Sequence, residues 1–288
     1  MTPSEQPQVV PVFASDLASV CQFYHEHLNP QIPVADWISA FSRHRCQNQP
    51  NHGFMLVDGE KIVGAFGAIY SDQWIEGRME RFCNHTSWVV CREYRKWSRE
   101  LLLALLRQED FHVTSYTTNP HVANLCRQRH FSQLDDRVEV FFNRPRFFSA
   151  RYVSQDSAVI QAVLDPHVYR DYENHRQLPG LEFMVLGASG RGALVVYKKK
   201  IWKKLPCAII LHCSDWEVFL HFSKDLGACL LWWHGLVAMQ VHAYRLPPAV
   251  TGTLSIRDTQ PRLFISRGVK PSHLSFLYSE LTALNLAM

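Results

Sequence analysis

The chain has 288 residues, about twice the ~150 that serve as a prior for one domain, so one large domain and two modest ones are both open. With 47% hydrophobic and 19% charged residues, the composition excludes a disordered, collagen-like or coiled-coil chain. The 30 basic and 26 acidic side chains leave +4 with the 15 histidines neutral, too slight a bias to imply nucleic acid by itself.

The start, MTPSEQPQVVPVFASD, shows no basic stretch followed by an apolar one, so no secretory signal is expected. Cys21, Cys46, Cys83, Cys91, Cys126, Cys207, Cys213 and Cys229 form no CxxC pair. They are expected as reduced thiols in a cytoplasmic protein. The longest run without Asp, Glu, Lys or Arg, Leu226 to Tyr244, contains His234, Gln240, His242 and two glycines. It suits a buried strand with its flanks better than a membrane span.

In chain order, Ser15-Asp16 precedes apolar residues at Leu17, Val20, Cys21, Tyr24 and Leu28, a capped helix stopped by Asn29-Pro30. A second helix is predicted over Val34 to His44, with Trp37, Ile38 and Phe41 on one face. Gly53 to Val57 and Ile62 to Tyr70 flank Asp58-Gly59, a hairpin signal. Thr86 to Val90 reads as a strand running into an amphipathic helix marked by Trp97, Leu101, Leu102, Leu105 and Leu106. Val113 to Thr117 is a further strand, and Asn119-Pro120 caps a helix to about Arg129. Arg137 to Asn143 is predicted to be the strand that closes the first unit before Asn143-Arg144-Pro145.

The second half echoes the first. Glu182 to Leu186 matches Gly53 to Val57, the Gly187 to Gly190 turn follows, and Gly192 to Val196 matches Gly64 to Ala68. Ala208 to Leu211, a helix over Trp216 to Leu226 and a strand over Val237 to Ala243 complete the order. A duplication is expected, with units at 1–145 and 146–288.

The order over residues 9 to 143 resembles the GNAT superfamily of acyl-CoA N-acyltransferases. Three features carry it: Trp88-Val89-Val90-x-x-x-Tyr94-Arg95-x-x-Ser98-x-x-Leu101-Leu102, then Asn119-x-x-x-Ala123-x-Leu125-x-x-x-x-His130-Phe131, and the Asp58-Gly59 hairpin upstream. The implied fold is α/β (α+β), a GNAT-like mixed central sheet flanked by helices, here with a degenerate second copy. The Tyr-Arg-x-x-Ser-Leu type of loop is similar to that of tandem GNAT-like proteins of bacterial surface-polysaccharide gene clusters.

In that superfamily a loop of Arg or Gln, two residues, Gly, one residue, Gly or Ala holds a diphosphate on its amides at a helix N-terminus. Here Arg95 takes the first position, Ser98 the first glycine and Glu100 the second, so both glycines are missing and a negative charge is added. The resemblance implies a coenzyme site at Trp88, Val89, Val90, Arg95, Lys96, Trp97, Ser98, Arg99 and Asn119, with acetyl-CoA or another acyl-CoA as co-substrate and no metal. The tyrosine that protonates the departing thiolate in many relatives aligns with Cys126, a competent acid at its ordinary pKa or a small packed residue. Tyr94 and Tyr116 are alternative acids. His85 and Glu80 are the candidates for the base that deprotonates the amine, and backbone amides of Val89 and Val90 are placed to polarise the thioester carbonyl.

Lys198-Lys199-Lys200-Ile201-Trp202-Lys203-Lys204 is the one dense basic run. It is read as an exposed hairpin end, with an anionic ligand as the alternative and nucleic acid disfavoured. Trp232-Trp233-His234 is expected in the core, and neither Cys83 with His85 nor His212 with Cys213 has zinc-ligand spacing. No Walker loop, nucleophile elbow or HExxH occurs. Ser214-Asp215-Trp216-Glu217 opens the second unit's helix with two carboxylates, which repel a diphosphate. That unit is expected to help wall an acceptor pocket. The reading that results is an N-acyltransferase moving an acyl group from acyl-CoA to a small primary amine, with a nucleotide-linked amino sugar as one candidate. The alternative is a catalytically inactive GNAT-fold binding or scaffold protein.

Overall fold

A computed structural model of the chain describes residues 6–284 apart from 44, 118, 148–151, 189 and 249. The first elements are β1 (Gln8–Pro11), α1 (Leu17–His27), α2 (Val34–Ser42), β2 (Gly53–Asp58), β3 (Lys61–Ile75) and β4 (Arg78–Val90). They are followed by α3 (Ser98–Leu106), β5 (His112–Ser115), α4 (Pro120–Gln128), β6 (Ser132–Gln133) and β7 (Arg137–Phe142). The second half holds β8 (Val153–Ser154), α5 (Ser157–Val163), α6 (Pro166–His175), β9 (Glu182–Ala188), β10 (Arg191–Trp202) and β11 (Leu205–Cys213). It ends with α7 (Trp216–His234), β12 (Ala238–His242), β13 (Leu254–Arg257), β14 (Leu263–Ile265) and α8 (Glu280–Ala283).

Two compact units form: Met1–Ser132 with Arg262–Val269 and Tyr278–Met288, and Gln133–Pro261 with Lys270–Leu277. The first contains a sheet of order β1-β2-β3-β4-β5-β14-β6, the second one of order β13-β7-β12-β11-β10-β9-β8. Taken from β8, the second order repeats the first strand for strand, and each sheet has its parallel pair in the same place, β4 with β5 and β11 with β12. The duplication is therefore a property of the fold. Among the described residues helix α4 has no α-helical counterpart between β12 and β13, where a 3-10 turn at Ala243–Arg245 follows β12.

One expectation is corrected. The strand at Arg137–Phe142 does not close the first sheet; it lies between β12 and β13 of the second. The corresponding slot in the first sheet, beside β5, is filled by β14 from far along the chain. A strand with inward Val138 and Val140 can satisfy its ladder in either sheet, so local pattern names the strand and not its partner.

In the first unit, α3 and α4 cover one face of the sheet. Leu101, Leu102 and Leu105 are buried against Leu56, Phe66, Val113 and Phe131, each contributing roughly 2–3 kcal/mol. Helices α1 and α2 cover the other face through Tyr24, Trp37 and Phe41, joined by Ala283 and Leu284. Gly67 makes that approach possible, since a Cβ there would sit 2.6 Å from Phe41 Cζ. In the second unit the long α7 buries Phe219, Leu226 and Leu230 on Val195, Tyr197 and Ile210.

Several boundaries differ from expectation. Asp16 does not cap α1; it accepts from Phe13 N at 2.8 Å and closes a 3-10 turn instead. Strands β3 and β4 are far longer than the apolar runs that announced them, joined through Glu76-Gly77 with both residues in the left-handed region, the signature of a two-residue hairpin. Leu226 to His234, expected as flank of a strand, is the C-terminal half of α7. Asn119 does cap α4, accepting from His121 N at 2.9 Å.

Candidate active site

Strand β4 pairs with β5 only from Phe82 to His85, the last pair being His85 with Ser115. Two residues later Ser87 takes a φ of +53° and the β3 ladder shifts register opposite it, between Phe66 and Gly67. This bulge adds one residue and bends the strand. Thr86 and Trp88 to Val90 thus stay paired to β3 while, among the described residues, their other edge carries no strand, and a fork opens between β4 and the end of β5.

On the α3/α4 side of the fork, His85, Phe66, Trp88, Phe131 and Cys126 come together. The His85 ring lies 5.0 Å from Phe66 and 5.7 Å from Phe131, and Trp88 stacks 4.5 Å from Phe66. His85 Nε2 is 3.7 Å from Cys126 Sγ. Burial pushes His85 down to about 3, so the imidazole is neutral and a weak base. Burial pushes Cys126 up to about 11, only partly offset by the Ser115 hydroxyl. Trp88 Nε1 is buried with no hydrogen-bond partner, a donor aimed into a place where the protein supplies no acceptor.

Glu80 is elsewhere. It is ion-paired to Arg78 and accepts from His112 Nε2 at 2.9 Å. The His112 hydrogen bond, with Arg78 behind it, holds its carboxyl below the usual range.

The diphosphate loop is not a loop. Arg92–Trp97 forms a 3-10 helix that runs straight into α3, with Tyr94 N donating to Cys91 O and Ser98 N to Arg95 O. The amides that glycines would leave open are spent inside the helix. Tyr94 Oη donates to Asp58 Oδ2 at 2.5 Å, tying this turn to the β2–β3 hairpin. What the segment presents outward is net cationic: Arg92, Arg95, Lys96 and Arg99 are exposed beside Glu93, with Arg99 paired to Glu100 at 3.8 Å and Lys96 Nζ 5.6 Å over the Trp97 ring. Asn119 spends its side-chain carbonyl on α4.

Sequence reasoning missed the other side of the fork. Asn84 donates to Thr114 Oγ1 at 3.1 Å, and its Oδ1 accepts from Glu280 N at 3.3 Å. Glu280 is the first residue of α8, delivered by the C-terminal segment and capped by Ser279. Its Oε2 is buried without a partner, and burial lifts the carboxyl to about 7, with Arg262 close enough to moderate the rise. A carboxylate inside the apolar run Leu274 to Leu284 was the available signal.

The second unit has the same fork, and it is filled. Pairing of β11 with β12 stops at Ile209 and Gln240, and the buried Arg245 donates to the carbonyl of the bulged Leu211 with its guanidinium 4.2 Å over Phe276. Asp215 takes the Glu217 and Val218 amides at 2.9 and 3.0 Å, leaving no helix-end site for an anion.

The same architecture recurs in solved structures. A GCN5-related N-acetyltransferase from Anabaena variabilis superposes with a TM-score of 0.59 at 10% identity, covering 90% of this chain and 72% of that one. This chain has the GNAT fold. A second GCN5-related N-acetyltransferase, from Kribbella flavida, gives a TM-score of 0.56 at 14% identity over 90% of this chain and 70% of its own. No protein-family model and no curated protein matches the sequence. The strand and α3 stand where the motif around Trp88 to Leu102 implied them, with a 3-10 helix between them in place of a loop. Among the described residues, no helix is long and apolar enough to cross a membrane.

Proposed function

We propose that the protein transfers an acyl group from acyl-coenzyme A to a primary amine, with an amino sugar among the candidate acceptors. The observation that carries this reading is the open fork at Ser87, lined by the unpaired edge of Thr86 to Val90 and the partnerless Trp88 Nε1. An extended amide-containing arm would complete both. Arg92, Arg95, Lys96 and Arg99 would meet the diphosphate charge through side chains in place of loop amides.

On this reading the amine enters on the Asn84 face. Glu280 is matched to take its proton near neutral pH, whereas His85 is too weak a base and Glu80 is held ionised by its partners. As nitrogen bonds to the carbonyl carbon, the carbon–sulfur bond breaks. The thiolate, a good leaving group, is protonated by water, since Cys126 holds its proton too tightly to act as the acid.

A second reading, a catalytically inactive GNAT-fold binding protein, is favoured by one observation: the 3-10 helix at Arg92–Trp97 consumes the amides that usually hold the diphosphate. Calorimetric titration with acetyl-CoA separates the two. The first reading expects binding that Arg95→Glu weakens by about tenfold or more through charge reversal beside the diphosphate. No heat and no thermal shift at millimolar ligand would leave the second.

A further inference from the structure

One end of the second unit is both apolar and basic. The register aligns Lys200, Cys207, Ala238 and Phe142 in a single row across β10, β11, β12 and β7. Everything just beyond that row lies at the same end: the β10–β11 hairpin tip, the segment Arg144 to Phe147, and the last turn of α7. Gly235, at φ +66°, ends α7 there and leads it into β12 within three residues.

The apolar residues at this end are large and exposed. Phe147 is fully exposed, Ile201 is 67% and Trp232 66% exposed, and Phe142, Leu205 and Trp233 join them. The expectation that Trp232 and Trp233 are core is thus corrected. Pro145, Arg146, Phe147, Trp232 and Trp233 line a cavity of about 530 Å³.

The charge at this end is positive. Its two carboxylates, Glu182 and Asp225, are paired to Lys199 at 2.7 Å and Arg146 at 3.5 Å. Arg144, Lys200, Lys203 and Lys204 are exposed and, among the described residues, have no carboxylate partner. Lys203 and Lys204 form the hairpin turn at φ +47° and +66°, positions where Asn and Gly are cheaper. Lysine there works against the turn; it adds charge and, at Lys203, a contact of Nζ 4.9 Å over the Trp202 ring.

We propose that this end docks on an anionic lipid bilayer surface. Tryptophan and phenylalanine insert at the level of the headgroups, where amphipathic rings are most stable. Lysine and arginine stems lie along the apolar boundary while their charges meet lipid phosphates and carboxylates. Phe147, Trp232 and Ile201 provide the first component and the unpaired cations the second, and reversible attachment needs both. The proposal is independent of the acyl-transfer reading.

The test is co-sedimentation of the full chain with vesicles of phosphatidylcholine alone and with about 30% phosphatidylserine. Binding is expected to the anionic vesicles only, and to fall steeply at about 0.5 M salt. Lys203→Asn with Lys204→Gly installs the preferred turn residues, so the variant folds at least as well as the parent. Its vesicle affinity is expected to fall about 25-fold, at roughly fivefold per lysine. Trp232→Ser should weaken binding at unchanged salt dependence. Equal affinity of these variants and the parent, binding to neutral vesicles alone, or no binding to either would overturn the proposal. So would dimerisation through this end, seen as a sedimentation shift that Trp232→Ser abolishes.

Discussion

Replacing Glu280 by glutamine removes a titratable group that the fold holds in its protonated form, and the consequence can be worked out with its sign. Burial lifts the carboxyl from 4.5 to about 7. Between those values the unfolded chain has released the proton and the folded chain keeps it, so stability falls as pH rises through this window. At about 1.4 kcal/mol per unit, the loss is complete above pH 7 and amounts to about 3 kcal/mol. Glu280→Gln keeps the shape of the side chain and carries no such penalty. Denaturant unfolding of both proteins from about pH 4 to pH 8.5 is expected to show equal stability at the acid end and a variant more stable by about 3 kcal/mol at the alkaline end. His85 and His212, both held neutral by burial, impose the opposite slope below pH 6.5, but they are common to both proteins and vanish in the difference. A difference that does not change with pH would refute the buried, protonatable carboxyl. If the acyl-transfer reading holds, the same variant is also expected to lose turnover while keeping acetyl-CoA affinity, because Glu280 meets the amine and not the coenzyme.

Lys198 offers a second linkage. Its Nζ is buried without a partner and burial lowers it to about 8, so Lys198→Met is expected to gain up to about 3 kcal/mol at pH 7, shrinking as pH rises from 8 toward 10.5; thermal melts at pH 7 and pH 10 measure it. The strand exchange predicts that residues 1–145 alone, which carry β7 without its sheet and lack β14, give no dispersed amide spectrum, whereas co-expression with residues 146–288 restores one.

How much of this was legible in the sequence depended on how local each signal was. The Asp58-Gly59 hairpin, the Asn119 cap and the leucines of α3 are decided within a few residues, and they stand as read. The β3–β4 hairpin was half-hidden because Asp72, Gln73, Glu80 and Arg81 make its outer part polar: a strand that protrudes past its covering helices has no apolar alternation to announce it. The fate of β7 was not legible, since Val138 and Val140 specify a buried strand face and nothing about which sheet provides it. The strand running into α3 could be placed from the Trp88 motif, but the bulge at Ser87 and the far wall of the fork could not. Glu280 is 196 residues from Asn84 in sequence, and pairing at that separation leaves no periodic trace. His85 drew attention through its residue type, and the same burial that brings it to the fork strips it of basicity.

The two units started from the same plan and resolved the fork in opposite ways. A bulge that parts two parallel strands leaves main-chain groups without partners, and a folded protein must satisfy them from within or leave them for something else. In the second unit Arg245 does so from within: its guanidinium bonds the Leu211 carbonyl and lies among Phe276, Trp216 and Tyr244. Asp215 closes the helix end as well, through the Glu217 and Val218 amides. In the first unit Trp88 Nε1 stays unpaired, and Arg92, Arg95, Lys96 and Arg99 are exposed. If the acyl-transfer reading holds, the diphosphate would be met at α3 by side-chain charge in place of backbone amides, and acetyl-CoA affinity is expected to weaken with salt more steeply than at a site built from amides, which titration at about 0.05 and 0.5 M salt measures.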